Sequence, residues 1–133
     1  MTRPNSAAAR DQAYHLHPYT NLRGLERDGP LVITRGEGAH VFDEQGRAYI
    51  EGMSGLWCAA LGFSEKRLVA AATRQLETLP YYHSFAAKVP EVLTDLTEAL
   101  MAIAPAPLTR AIFAQSGSEA NDTAIKIAWY YSN

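Results

Sequence analysis

The stretch Ala111-Ile-Phe-Ala-Gln115-Ser116-Gly117-Ser118-Glu119-Ala-Asn121-Asp122 decides the fold, because a short apolar run there ends in small hydroxyl and glycine residues and passes directly into a helical pattern. Its spacing predicts a buried strand over Ala111 to Gln115 that turns sharply into a helix. Ser116 is placed to cap that helix, and Glu119, three residues on, to reach back to the Ser116 amide as a capping box. Gly117 keeps the turn free of a side chain, so the amides of Gly117, Ser118 and Glu119, with the positive end of the helix dipole, can face an anion. A Ser-x-x-Glu cap also closes many helices that bind nothing, and the turn alone leaves a plain cap and an anion site both open.

Upstream of this turn the pattern divides in two. From Leu31 the chain reads as short strands: Leu31 to Thr34, a turn at Arg35 to Gly38, Ala39 to Asp43, a turn at Glu44 to Gly46, and Arg47 to Glu51. Glycines between short apolar runs predict a small antiparallel meander. Gly52, Gly55 and Gly62 mark an irregular segment that carries Trp57. Ser64 then caps a helix to about Leu79 with Leu68, Ala72, Leu76 and Leu79 at helical spacing, stopped by Pro80. A second helix runs from Pro90 to about Ile103, with Leu93, Leu96, Leu100 and Ile103 as its stripe and Pro105 and Pro107 beyond. The last helix carries Ala120, Ala124, Ile127 and Tyr131 on one face.

A meander followed by alternating helix and strand is the layout of a small domain giving way to an α/β layer, so the fold class is α/β. Residues 1–12 are expected as a mobile arm, 13–60 as an amino-terminal segment with the meander, and 61–133 as the beginning of a larger α/β domain. That layer is unfinished, since the one convincing strand, Ala111 to Gln115, cannot make a parallel sheet alone.

Composition narrows the function classes. The chain has 133 residues, 47% of them hydrophobic, and a formal net charge of -2, with Lys and Arg scattered rather than clustered. No nucleic-acid surface is expected from that distribution. No apolar run is long enough to span a bilayer, and Met1 to Arg10 lacks a signal-peptide core, which makes a cytoplasmic location the default. The single cysteine, Cys58, has no internal disulfide partner, in keeping with a reducing compartment.

The string Ser116-Gly-Ser-Glu-Ala-Asn-Asp-Thr-Ala-Ile-Lys126 closely resembles the phosphate-binding turn of class III aminotransferases, enzymes that use pyridoxal 5'-phosphate (PLP). Three further segments agree with that family in order: His15-Leu-His-Pro-Tyr19, Arg35-Gly-Glu-Gly-Ala-His-Val-Phe-Asp43 and Glu51-Gly-Met-Ser-Gly-Leu-Trp57-Cys58. The resemblance covers nearly the whole chain from about Tyr14. It implies the amino-terminal part of a fold-type I PLP-dependent transferase, working as a homodimer with sites at the interface. The implied reaction transfers an amino group from a primary amine or ω-amino acid to a keto acid such as pyruvate.

Gly117 and Ser118 match the family's phosphate-binding positions, with backbone amides and the Ser118 hydroxyl gripping the PLP phosphate. Trp57 corresponds to a tryptophan lining the substrate pocket in the amine and β-alanine:pyruvate branch; on packing grounds alone it could equally anchor a core. Tyr19 and Phe85 fall in segments resembling aromatic pocket positions. Relatives carry Phe at the first and a second aromatic after Phe85, where this chain has Tyr19 and Ala86. The chemistry also needs a lysine that holds the cofactor covalently. Lys66, Lys88 and Lys126 are the lysines present. Lys126 lies about 12 Å along the helix axis from Ser118 and reads as a solvated lysine. None of the three matches the family's lysine motif, so no catalytic residue is assigned and the chain is expected to be the amino-terminal portion of a longer enzyme.

Glu119 and Asp122 are explained as a capping acid and a first-turn acid without a cofactor. His15 and His17 alternate like ligands on a strand, but with no third ligand at usable spacing no metal site is assigned. His40 and His83 read as structural or surface groups, and Cys58 as a small buried residue. The alternative function is a non-catalytic binding or interaction fragment with the start of the aminotransferase fold. A nucleotide binder ranks last, because the chain has no Walker or dinucleotide motif.

Overall fold

The computed structural model describes residues 4–132. The chain forms two compact units, one through Thr78 and one from Leu79.

The first unit opens with helix α1, Ala7–Tyr14, inside the segment expected as an arm. Alanine is the best helix former, and the Ser6 hydroxyl caps the helix by accepting from the Ala9 amide at 3.2 Å. Helix α2, Leu22–Asp28, is capped in the same way by Asn21 and ends at Gly29, whose φ of 78° only glycine adopts cheaply. The Gln12 amide donates to the Leu25 carbonyl at 2.6 Å and ties α1 to α2.

The expected meander is present: β1 (Ile33–Glu37), β2 (His40–Asp43) and β3 (Ala48–Ile50) form an antiparallel sheet in the order β1-β2-β3. A register shift between Ile33 and Arg35 leaves Thr34 to donate its hydroxyl towards the Phe42 and Asp43 carbonyls. Arg35 pairs with Phe42 across the strands and lays its guanidinium 3.3 Å from the ring centroid, a contact worth about 0.5–1 kcal/mol at an exposed site.

The sheet is pinned by Asp43, only 2% exposed. Its carboxylate accepts from the Gln45 and Arg47 amides, from Arg47 Nε at 2.6 Å and from the Tyr49 hydroxyl at 2.9 Å. Burial pushes this carboxyl up, but the Arg47, Tyr49 and Gln45 hydrogen bonds outweigh it and hold the pKa at about 2. One acid thus closes the β2–β3 turn.

Beyond β3, α3 (Ser54–Trp57) is a left-handed turn rather than a right-handed helix, with φ of 50°, 59°, 59° and 67° at Ser54, Gly55, Leu56 and Trp57. Gly38 and Phe63 then exchange backbone hydrogen bonds of 3.0 and 2.8 Å, docking the chain on the far end of β1. A Cβ at Gly36 would lie 2.7 Å from Phe63 Cβ, so this close approach requires glycine.

Helix α4, Lys66–Thr78, begins two residues later than its expected cap. Ser64 does not cap it, because its hydroxyl donates to the Gly36 carbonyl at 2.7 Å; the Glu65 carboxylate accepts the Arg67 amide instead.

The second unit holds α5 (Glu91–Ile103), which starts after Pro90 as expected, and α6 (Gly117–Ser132). Ala111 to Gln115 is not a strand among the described residues, and Ile112 and Phe113 are exposed. A lone apolar segment needs a neighbouring strand to become one, and no strand among the described residues pairs with it. The apolar stripes of α4 and α5 are likewise exposed at Leu68, Leu76, Leu96 and Ile103. No helix among the described residues is long and apolar enough to cross a membrane.

Candidate functional site

Ser116 organises the start of α6. Its hydroxyl accepts the Glu119 amide at 3.2 Å and its carbonyl accepts the Ala120 amide at 3.0 Å. The expected reciprocal bond is displaced by one residue, since the Glu119 carboxylate takes the Gln115 amide at 2.9 Å and not that of Ser116. Two corrections to the anion cradle follow. The Glu119 amide is occupied by Ser116, and the amides left uncommitted are those of Ser116, Gly117 and Ser118, which have no intramolecular acceptor among the described residues. The space where a Gly117 side chain would stand is open, with nothing within 4 Å. The start of the helix therefore presents three amides and the Ser118 hydroxyl at exposed residues, at the positive end of a 16-residue helix.

Higher on α6, Lys126 donates to Asp122 at 2.6 Å, one turn away, with both side chains largely exposed. This pair accounts for Lys126 as a helix-surface lysine.

The three aromatic positions are all open. Trp57 is 79% exposed and Phe85 78% exposed, and Tyr19 is fully exposed with a φ of 50°. Trp57 anchors no core in its unit. Its left-handed turn is held by Glu51, a residue the sequence reading did not single out: the carboxylate accepts the Met53 amide at 3.0 Å and also the Gly55 amide. Non-glycine residues in this conformation cost about 1–2 kcal/mol each, so the turn persists because Glu51 and the bond from the Trp57 amide to the Met53 carbonyl over-determine it. Cys58, expected to be buried, is exposed beside this turn, its thiol 3.5 Å from the Leu56 carbonyl. Phe85 sits beyond His83, whose Nδ1 accepts the Phe85 amide at 3.2 Å and whose ring stacks on Tyr82. His83 is thus structural.

His15 and His17 do not alternate along a strand. His15 is the C-cap of α1 and His17 follows it in irregular chain, and both imidazoles meet Asp11, at 3.0 Å (Nδ1 to Oδ1) and 2.7 Å (Nε2 to Oδ2). Hydrogen bonds from His17 and then His15 hold the Asp11 carboxyl below its ordinary pKa. Asp11 was missed although Asp-x-x-x-His is a same-face helical spacing that could have shown it.

A family model described as aminotransferase class-III matches residues 25–133. The chain belongs to the class-III aminotransferases. Among solved members of this family it superposes on the omega transaminase of Pseudomonas jessenii in complex with PMP, with a TM-score of 0.87, 52% identity, and coverage of 94% of this chain and 28% of that one. A thermostable omega transaminase variant with a tryptophan, a phenylalanine and an arginine replaced, engineered for asymmetric synthesis of enantiopure bulky amines, gives a TM-score of 0.87 at 50% identity over the same 94% and 28%. Gamma aminobutyrate transaminase 1, mitochondrial, of Solanum lycopersicum is 52% identical over 105 residues, 78% of this chain and 20% of its own length. The chain thus spans between a fifth and a third of the length of these class-III aminotransferases.

Proposed function

We propose that the protein carrying this chain is a PLP-dependent transaminase that moves an amino group from a primary amine or ω-amino acid to a keto acid such as pyruvate. The observation that carries the reading is the start of α6, where Ser116 consumes the Glu119 amide and leaves the Gly117 and Ser118 amides and the Ser118 hydroxyl for a phosphate dianion. This donor set fits the PLP phosphate: all three groups donate, the helix dipole favours the charge, and no side chain at Gly117 stands in the way. Bound PLP would supply the electron sink that allows an amine to exchange its nitrogen with a keto acid.

In this proposal Gly117 and Ser118 anchor the phosphate, Tyr19, Trp57 and Phe85 line the substrate pocket, and residues from 61 onward begin the large domain. The catalytic lysine is none of Lys66, Lys88 or Lys126. The enzyme works as a cytoplasmic homodimer. The engineered tryptophan and phenylalanine replacements for bulky amines in an omega transaminase half identical to this chain support a pocket role for Trp57 and Phe85. The PMP complex of the Pseudomonas jessenii enzyme supports the cofactor.

The test is amino transfer by the full-length protein. With PLP present, pyruvate should be converted to alanine at the expense of a primary amine or an ω-amino acid. Failure of every such donor with pyruvate and with other keto acids would sink the reading.

A further inference from the structure

We infer that Asp11, His15 and His17 form a binding site for one divalent transition-metal ion of the zinc class. Their three donor atoms, a carboxylate oxygen, His15 Nδ1 and His17 Nε2, all lie within 4.8 Å of one another. A tetrahedral ion with ligand bonds of about 2.0–2.1 Å needs its donors about 3.3 Å apart. Each histidine now meets its own carboxylate oxygen, His15 Nδ1 at 3.0 Å from Asp11 Oδ1 and His17 Nε2 at 2.7 Å from Asp11 Oδ2, and a turn of the carboxylate with a small shift of the rings converges the three donors, already within 4.8 Å of one another, on one ion.

The backbone already pays for this arrangement. Asp11 and His15 are one helical turn apart, and the His15 amide closes the last turn of α1 on the Asp11 carbonyl at 2.9 Å, which fixes the two side chains on one face. Pro18 restricts His17 to extended backbone, and its ring returns to the same carboxylate. The rings of the two histidines are 4.2 Å apart, so both approach Asp11 from neighbouring directions.

Chemistry selects the ion class. Two imidazoles and a carboxylate, without thiolate, favour a borderline ion such as Zn2+ over soft Cu(I) and over Mg2+ or Ca2+, which prefer all-oxygen sites. Asp11 and His17 are about three-quarters shielded, while His15 is 59% exposed, which leaves an entry path and a fourth position for water. On binding, the two ring nitrogens that face Asp11 present lone pairs to the ion, and their protons sit on the opposite ring nitrogens. The ion would tether the end of α1 to the chain that leads through Pro18 into Tyr19.

The test uses the full-length protein, stripped with chelator and titrated with Co2+, whose visible ligand-field band reports a low-symmetry nitrogen and oxygen site. One equivalent should bind per chain and be displaced by Zn2+. Loss of an outer-shell partner alone weakens metal sites by about 10–100-fold, so Asp11→Asn and His17→Gln should each lose at least that much affinity for this equivalent. His15→Gln, at the most exposed of the three positions, should do the same with an unchanged circular dichroism spectrum, and it decides the matter if the other variants do not fold. Absence of a saturable one-equivalent band, or a band that survives in His15→Gln, would show that the triad is held by hydrogen bonds alone.

Discussion

The Ser116 hydroxyl accepts the Glu119 amide at 3.2 Å, while the Glu119 carboxylate reaches past Ser116 to the Gln115 amide at 2.9 Å. The cap therefore ties the incoming chain to the first turn of α6 from both sides and leaves the three amides between them, those of Ser116, Gly117 and Ser118, uncommitted among the described residues. A cap that used the Ser116 amide would close the turn one residue later. The observed offset clamps the entry to the turn and frees the Ser116 amide beside those of Gly117 and Ser118.

Removing this cap should loosen the turn. Ser116→Ala is expected to cost about 1 kcal/mol, the usual value of an N-cap, with faster amide hydrogen exchange confined to the first turn of α6. Unchanged exchange at Glu119 would contradict the assignment.

Asp43 predicts an acid limit to stability. Its pKa is depressed in the folded chain, from 3.8 to about 2, so its contribution is fully present above about pH 4 and is lost as the pH falls through about 2. Asp43→Asn should be less stable at neutral pH and should flatten the stability profile across that window. A parallel profile for wild type and Asp43→Asn would show that the carboxylate is not linked to folding.

Gly36 faces Phe63 with no room for a methyl group. Gly36→Ala should destabilise the β1 end by about 1–3 kcal/mol through overpacking, read as a shift of the denaturant midpoint. The double variant Gly36→Ala with Phe63→Ala should recover part of that loss.

Glu51 holds the turn that displays Trp57. Glu51→Gln should raise KM for the amine several-fold with a smaller effect on kcat, because the turn that presents the tryptophan is loosened while the cofactor cradle is untouched. Trp57→Ala should instead shift the ratio of kcat/KM between bulky and small amines by at least about tenfold in favour of the bulky ones. Equal losses for all amines in Trp57→Ala would remove Trp57 from the pocket.

Much of the fold was legible in the sequence, and the exceptions share a cause. The meander and helices α4 and α5 follow from local periodicity, proline stops and glycine turns, which is why Pro90 and Gly46 mark their boundaries. Ser64 was misread because its hydroxyl bonds to Gly36, 28 residues away, and no local rule contains that partner. Ala111 to Gln115 reads as a strand but depends on neighbours that the described residues do not supply. Cys58 followed the burial habit of its residue type, and the left-handed turn exposes it. The start of α6 at Gly117 was legible because a helix start is local. The Asp11 triad was not, since it joins the last turn of a helix that the arm-like composition of residues 1–12 concealed.

The cradle is tested most directly by titrating the cofactor-free full-length protein with PLP and with pyridoxal, which lacks the phosphate, in wild type and in Ser118→Ala. A hydrogen bond to a charged group is worth about 1.5–3 kcal/mol, so Ser118→Ala should weaken PLP binding by about tenfold or more and leave pyridoxal binding unchanged. Equal affinity of wild type and Ser118→Ala for PLP, or an equal loss for both ligands, would contradict the assignment of this turn to the phosphate.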